Sequence, residues 1–292
     1  MGRARSGRAA RLAALGGLLT VALTGCSTEE VLRFGWPQGV TDEAEIMREL
    51  WTGSTIAALV VGVVVWALIL WTCVFHRKRD EELPRQTAYN LPLEVVYTVV
   101  PFIIIGVLFY YTVVVQNDVL DQTDDPDVTV AVTGFQWNWE FSYPEVDDAE
   151  TGSPVSILGD TDQIPVLVLP VDQTIRFEVE SNDVIHSFWV PEFLFKLDLL
   201  PGDNFGEDNE FEVTIREEGA YVGRCAELCG TYHAQMNFEV RAVSAGEYDA
   251  YIAAREQGMD NVAALESIGQ PGLAQTTQPF DTDRDRRSAS DE

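Results

Sequence analysis

The 292-residue chain is long enough for one or two domains with a proper core. Its formal net charge is −28, and Arg3, Arg5, Arg8 and Arg11 sit in the first 25 residues, so the remainder is more acidic still. Such a surface repels nucleic acid and would attract a basic protein partner; the plainer reading is that the acidity only keeps the protein soluble.

Residues 1–25 read as a secretory signal: arginines, an apolar stretch from Leu12 to Leu23, then Thr24-Gly25-Cys26. That ending resembles a bacterial lipobox, which predicts cleavage before Cys26 and lipidation of it; an ordinary signal or first anchor is the plainer alternative. Residues 26–50 are polar and acidic and form an external segment, with Glu43, Glu45 and Glu49 on a short predicted helix. Trp51 to Phe75 carries no charge and is long enough to span a bilayer. A second apolar run, Leu91 to Val115, is interrupted by Pro92, Glu94 and Pro101. The two form a predicted transmembrane hairpin over 51–117.

The loop between these runs holds Arg77, Lys78, Arg79 and Arg85, whereas the flanking segments are acidic. The positive-inside rule puts that loop in the cytoplasm and everything after the second run on the outer face of a bacterial membrane. Glu94 sits near the cytoplasmic end of its run, where it either serves a function or simply reaches the interface.

After an acidic linker at 118–127 the pattern changes to period two. Val128–Thr133, Ile164–Leu169, Thr174–Glu180, Val184–Val190, Glu210–Ile215, Ala220–Gly223 and Asn237–Val243 read as short strands of an antiparallel sandwich or barrel. The stretch Pro144–Ile164 is acidic and glycine-bearing and reads as a surface loop. The sandwich is assigned to 118–245, a C-terminal helix to 246–268, and a disordered acidic tail to 269–292.

The chemistry lies in Cys225-Ala-Glu-Leu-Cys229-Gly-Thr-Tyr-His233-Ala-Gln-Met236. Two thiolates, an imidazole and a thioether are soft or borderline ligands that suit copper. His186, in Asp183-Val-Ile-His186-Ser-Phe-Trp-Val-Pro191, is the one further histidine away from the membrane flank. A Cys225–Cys229 disulfide leaves the histidines and Met236 unexplained, and zinc has little use for a thioether. A mononuclear blue-copper site leaves one cysteine over. Two bridging thiolates, one histidine per ion, and Met236 and the Glu227 carbonyl as weak ligands account for the whole set as a dicopper site.

These motifs resemble subunit II of the haem–copper cytochrome c oxidases over roughly residues 45–245. The resemblance is carried by His186-Ser-Phe-Trp-Val-Pro, Lys196-Leu-Asp198, Pro201-Gly202 and the Cys-x-Glu-x-Cys-Gly-x-x-His-x-x-Met pattern, with Gly134-Phe-Gln136-Trp137-Asn-Trp139 as an aromatic stretch. It implies a two-helix transmembrane hairpin followed by an all-β cupredoxin-like Greek-key domain that holds the CuA centre. The implied CuA ligands are His186, Cys225, Glu227 through its carbonyl, Cys229, His233 and Met236. The Glu227 side chain would bind magnesium at the boundary with subunit I. Trp137 matches the family's tryptophan where electrons enter, the plainer reading being a sheet aromatic. Glu94 matches a glutamate at the mouth of a proton channel.

The resemblance further implies a subunit of a proton-translocating oxidase. It would take electrons from a cytochrome c, either soluble or membrane-bound within a bc-type supercomplex, and pass them to haem a of subunit I. Oxygen is reduced there at a haem–CuB site, and subunit III is a further partner. Phe135, Asp203 and Arg224 depart from common family residues and leave the contacts to cytochrome and subunit I open. A CuA subunit of a nitric oxide reductase-type enzyme is the alternative. A soluble nitrous oxide reductase is excluded by the two spans, a quinol oxidase by the two cysteines, and a copper carrier by the enclosed ligand set.

Overall fold

The computed structural model describes residues 27–78, 81–83, 86–160, 162–202 and 209–279. Among them, residues up to 37 with 48–97 form one compact unit, and 38–47 with those from 98 onward form another. The expected signal sequence and Cys26 lie outside the described residues.

In the first unit, Ser27 caps a short helix α1 (Thr28–Leu32) through a reciprocal capping box with Glu30. Trp36 stacks on Trp51 with ring centroids 4.9 Å apart, and the Trp51 indole donates to the Arg33 carbonyl at 2.9 Å. Among the described residues, two helices are long and apolar enough to cross a membrane: α2 (Asp42–Phe75) and α3 (Leu91–Val119). Helix α2 is longer than the expected span because the acidic stretch from Asp42 contains no glycine or proline to stop it. The short helix expected around Glu43–Glu49 is therefore its first turns. Thr41 Oγ1 caps it by accepting from Ala44 N at 3.0 Å, and Asp42, Glu43 and Glu45 complement the helix dipole.

The second unit is a sandwich of two five-stranded sheets. One sheet has the order β3-β2-β1-β5-β8, formed by β1 (Val128–Phe135), β2 (Asn138–Asp147), β3 (Pro154–Leu158), β5 (Thr174–Ser181) and β8 (Glu210–Thr214). The other runs β4-β10-β9-β6-β7, from β4 (Val166–Pro170), β6 (His186–Val190), β7 (Phe195–Leu199), β9 (Gly219–Cys225) and β10 (Asn237–Val243). Pairing is parallel between β1 and β5 and between β4 and β10, and antiparallel elsewhere. Alternation sends every second residue of β1 and β2 inward. Aromatics then fill the core: Phe188 stacks on Phe238 of its own sheet at 4.8 Å and lies 5.2 Å from Phe177 of the facing sheet.

Three stretches differ from the sequence reading. The supposed surface loop 144–164 carries the end of β2 and the whole of β3, whose Val155 and Ile157 are buried. The C-terminal helix is two helices, α4 (Ala245–Glu256) and α5 (Asn261–Ser267), separated where Gly258 takes φ +83°. Residues 270–279, assigned to a disordered tail, are laid on the sandwich by hydrogen bonds to β10. The remaining tail, 280–292, lies outside the described residues.

The acidic segment before α2 is also tied down. Val40 N donates to Glu192 O at 3.0 Å and Arg216 N to Val40 O at 2.8 Å. The Arg216 guanidinium grips both carboxylate oxygens of Asp42, at 2.8 and 2.6 Å, and reaches Asp172 at 2.8 Å. Residues 38–47 thus belong to the sandwich rather than to a separate external segment.

Candidate metal centre

Three strands converge on one end of the sandwich to build the site. Strand β6 starts at His186, β9 ends at Cys225, and antiparallel pairing sets Phe188 opposite Cys225. The loop from Cys225 to Met236 leaves β9 and returns into β10. Ala226 N donates to Ser187 O at 3.0 Å and Cys225 N to Met236 O at 3.1 Å, which closes the loop at both ends. The buried Trp139 indole also donates to Met236 O, at 3.2 Å. At the tip Gly230 adopts φ +127°, and a Cβ there would sit 3.1 Å from the Trp137 and Gln136 side-chain nitrogens. Only glycine suits both the dihedral and the close approach.

Five of the six expected donors meet through their side chains and the sixth through its carbonyl. The two sulfurs of Cys225 and Cys229 are 3.8 Å apart. Cys225 Sγ is 3.8 Å from His186 Nδ1 and 3.2 Å from the Glu227 carbonyl. Cys229 Sγ is 3.6 Å from His233 Nδ1 and 3.8 Å from Met236 Sδ. Each sulfur therefore faces one imidazole and one weak donor. His186, Cys225, Cys229 and Met236 are buried, whereas His233 is partly open to solvent. Cys225 and Cys229 are free thiols, so the disulfide reading is not what the fold shows.

Burial and the neighbouring charges make the two thiols unequal. Burial raises the Cys225 thiol, but its side-chain contact with His186 and the backbone bonds of Glu227 and Ser187 outweigh it and bring it down to about 7. Burial, reinforced by the negative charge of Cys225, pushes Cys229 up to about 12. Two thiolates this close repel, and a positive ion between them removes the penalty. The donor set fits two thiolate-bridged coppers, because soft sulfur suits copper and an enclosed cage holds its geometry.

Neighbouring groups orient the ligands. Asp183 Oδ1 lies 2.8 Å from His186 Nε2 and holds that ring so that Nδ1 faces Cys225. Burial opposes ionisation of Asp183, but the bonds from His186 and from the backbone of Gln136 and Val184 bring its carboxyl below the usual range. The Cys229 carbonyl accepts from Gln136 Nε2 at 2.7 Å and from Trp137 Nε1 at 3.3 Å. Trp137, partly exposed, also meets Tyr232 edge-to-face with centroids 4.9 Å apart. Sequence reasoning singled out Trp137 but missed Asp183, Gln136 and Tyr232. The Asp183-x-x-His186 spacing was the available signal for the first.

The other expected residues lie elsewhere. Glu94 is in the first turns of α3, where its carboxylate accepts from Asn90 N at 2.9 Å and closes the helix start. The Glu227 side chain is partly exposed and Arg224 is exposed. Asp203 and Cys26 lie outside the described residues.

Residues 128–243 match the family described as cytochrome C oxidase subunit II, periplasmic domain. A probable cytochrome c oxidase subunit 2 of Nocardia farcinica is 48% identical, over 99% of this chain and 92% of the relative. Cytochrome c oxidase subunit 2 of Mycobacterium tuberculosis is 47% identical, over 97% of this chain and 92% of its own. Among solved structures, the periplasmic domain of subunit II of cytochrome oxidase of Bradyrhizobium japonicum is 30% identical, with TM-score 0.40, over 48% of this chain and all of that domain. By sequence over nearly its whole length, the chain belongs to the cytochrome c oxidase subunit 2 family.

Proposed function

We propose that this subunit accepts electrons from a cytochrome c through a CuA centre and passes them to haem a of subunit I, where oxygen is reduced and protons are pumped. The observation that carries the reading is the convergence of His186, Cys225, Cys229, His233, Met236 and the Glu227 carbonyl in one closed loop. Two copper ions, when bound there, supply a one-electron carrier with little change of geometry. The protein's part is preorganisation: β6, β9 and β10 fix the donors, Asp183 sets the ring of His186, and Met236 and the Glu227 carbonyl complete the cage.

Trp137 is the proposed point where electrons enter, because its indole is bonded directly to the carbonyl of a copper ligand. The Glu227 carboxylate would hold magnesium at the boundary with subunit I. Glu94 is proposed as the proton-channel glutamate, although its bond to Asn90 N gives it a capping role as well. Subunit III is a further proposed partner. The two apolar helices and the match to a periplasmic domain support a membrane protein whose sandwich faces outward. Lipid attachment at Cys26 and a bc-type supercomplex belong to the same proposal.

Electron paramagnetic resonance of the copper-loaded oxidase tests it. A seven-line mixed-valence signal supports two bridged coppers, and a four-line signal from a single copper refutes them.

A further inference from the structure

Strand β10 has an unusual outward face. Phe238, Val240 and Ala242 point into the core, while Glu239 and Arg241 point the other way and are nevertheless buried, at 0% and 2% exposure. A charge pair on the outside of a sheet stays hidden only if something covers it. The cover is residues 270–279. Glu239, besides its ion pair with Arg241, accepts from Gln275 N at 2.6 Å, Thr276 N at 2.7 Å and Thr276 Oγ1 at 2.8 Å. Arg241 donates to the carbonyls of Pro271 at 3.1 Å and Leu273 at 3.3 Å. One carboxylate and one guanidinium thus clamp the strap mainly by its backbone, with the Thr276 hydroxyl and the Gln270 amide oxygen as side-chain partners.

Pro279, the last described residue, reaches a cavity beside the candidate metal centre. Pro279 forms part of the wall of a cavity of about 520 Å³, whose other walls include Gln136, Trp137, Asp160, Tyr232 and Gln235. Two of those walls, Gln136 and Trp137, are bonded to the carbonyl of Cys229. The surroundings are acidic: Asp160 lines the cavity, Asp162 N donates to Asp160, and Asp183 accepts from Gln136 N, all three exposed on a chain of net charge −28.

We infer that the strap 270–279, clamped by Glu239 and Arg241, is a wall of the surface on which a positively charged electron-donor protein docks, and that it tunes the affinity for that donor. This rests on the reading of Trp137 as the electron inlet. Charge complementarity identifies the occupant, since acidic surroundings of an aromatic floor favour a cationic protein surface. A purely structural strap would stabilise β10 without touching donor affinity.

The experiment measures binding of a basic soluble cytochrome c to the purified oxidase at low ionic strength. Two variants are compared with the unmodified enzyme. Ending the chain after Gly269 removes the strap but leaves Glu239 and Arg241 paired with each other. Pro279→Trp fills the cavity from one of its walls and leaves the clamp intact. Each variant is expected to weaken binding by roughly fivefold or more, to leave the copper resonance spectrum unchanged, and to leave oxygen consumption with a small-molecule reductant unchanged. Equal affinity in all three enzymes overturns the strap's role while the inlet reading stands. No binding to the unmodified oxidase overturns the docking reading, and the strap's role with it. Should the shortened chain fail to assemble, Pro279→Trp alone decides.

Discussion

Asp183 and His186 are joined by a 2.8 Å contact between Oδ1 and Nε2, and this contact decides which ring nitrogen faces the copper cage. A carboxylate accepts, so Nε2 carries the proton and the Nδ1 lone pair is left toward Cys225. Asp183→Asn keeps the side-chain shape but can offer its own N–H to the ring and reverse the tautomer. Copper affinity is expected to fall by roughly 10–100-fold, measured by competition with a chelator. Unchanged affinity would show that the ring is held by packing alone.

The two cysteines are not equivalent to the thioether. Cys229 lies within 4 Å of Cys225, His233 and Met236, so Cys229→Ser removes a bridge and should abolish the mixed-valence spectrum. Met236 is 1% exposed, and Met236→Leu conserves volume, so the fold should lose less than about 1.5 kcal/mol. Copper is expected to remain with an altered redox potential, read by spectroelectrochemistry. A dicopper spectrum surviving in Cys229→Ser would refute the bridging assignment.

Trp137→Phe separates the ring from its N–H. The Cys229 carbonyl keeps the bond from Gln136 Nε2, so the loop should lose only about 1 kcal/mol of stability. The copper spectrum should be unchanged while reduction by cytochrome c slows. Stopped-flow reduction at the wild-type rate would remove Trp137 from the electron path.

The Cys225–Met236 loop stood out in the sequence because its candidate donors are close together and chemically unlike anything a core needs. His186 was legible through its own motif. What escaped reading depends on partners distant in sequence. Val155 and Ile157 are two buried residues in an acidic stretch, too few to show an alternation until β2 pairs with β3. Residues 270–279 have the composition of a solvated tail, and their order comes from Glu239 and Arg241, some thirty residues earlier. The first turns of α2 looked like a separate helix because charge replaces apolar residues at Asp42, although nothing in the backbone interrupts the helix there.

The sandwich depends on the aromatic contact between its sheets. Phe188 is 1% exposed and touches Trp139, Phe177, Phe211 and Phe238. Phe188→Ala should cost about 3–5 kcal/mol through lost burial and the cavity left behind. Because Phe188 pairs with Cys225, copper retention should fall with it. Thermal unfolding and copper content measured on the same preparation check both, and a loss below about 1 kcal/mol would contradict the packing assigned to this residue.

Helix α4 begins with a capping box whose strength should depend on pH. Ser244 Oγ accepts from Glu247 N at 3.3 Å, and the Glu247 carboxylate accepts from Ser244 N at 3.1 Å and Ser244 Oγ at 2.5 Å. The Ser244 hydroxyl and backbone bonds hold the Glu247 carboxyl below its usual range. A carboxylate with a lowered folded-state pKa adds stability above its unfolded value, and that contribution is lost as pH falls through the folded value. Ser244→Ala removes the hydroxyl's share, so it should cost about 1 kcal/mol at neutral pH. The gap to the unmodified protein should narrow below about pH 4, as Glu247 takes up a proton. Thermal unfolding across that range reads the difference. A gap of constant size from neutral pH down to pH ~3 would mean that the cap works through the Ser244 oxygen alone, without the carboxylate.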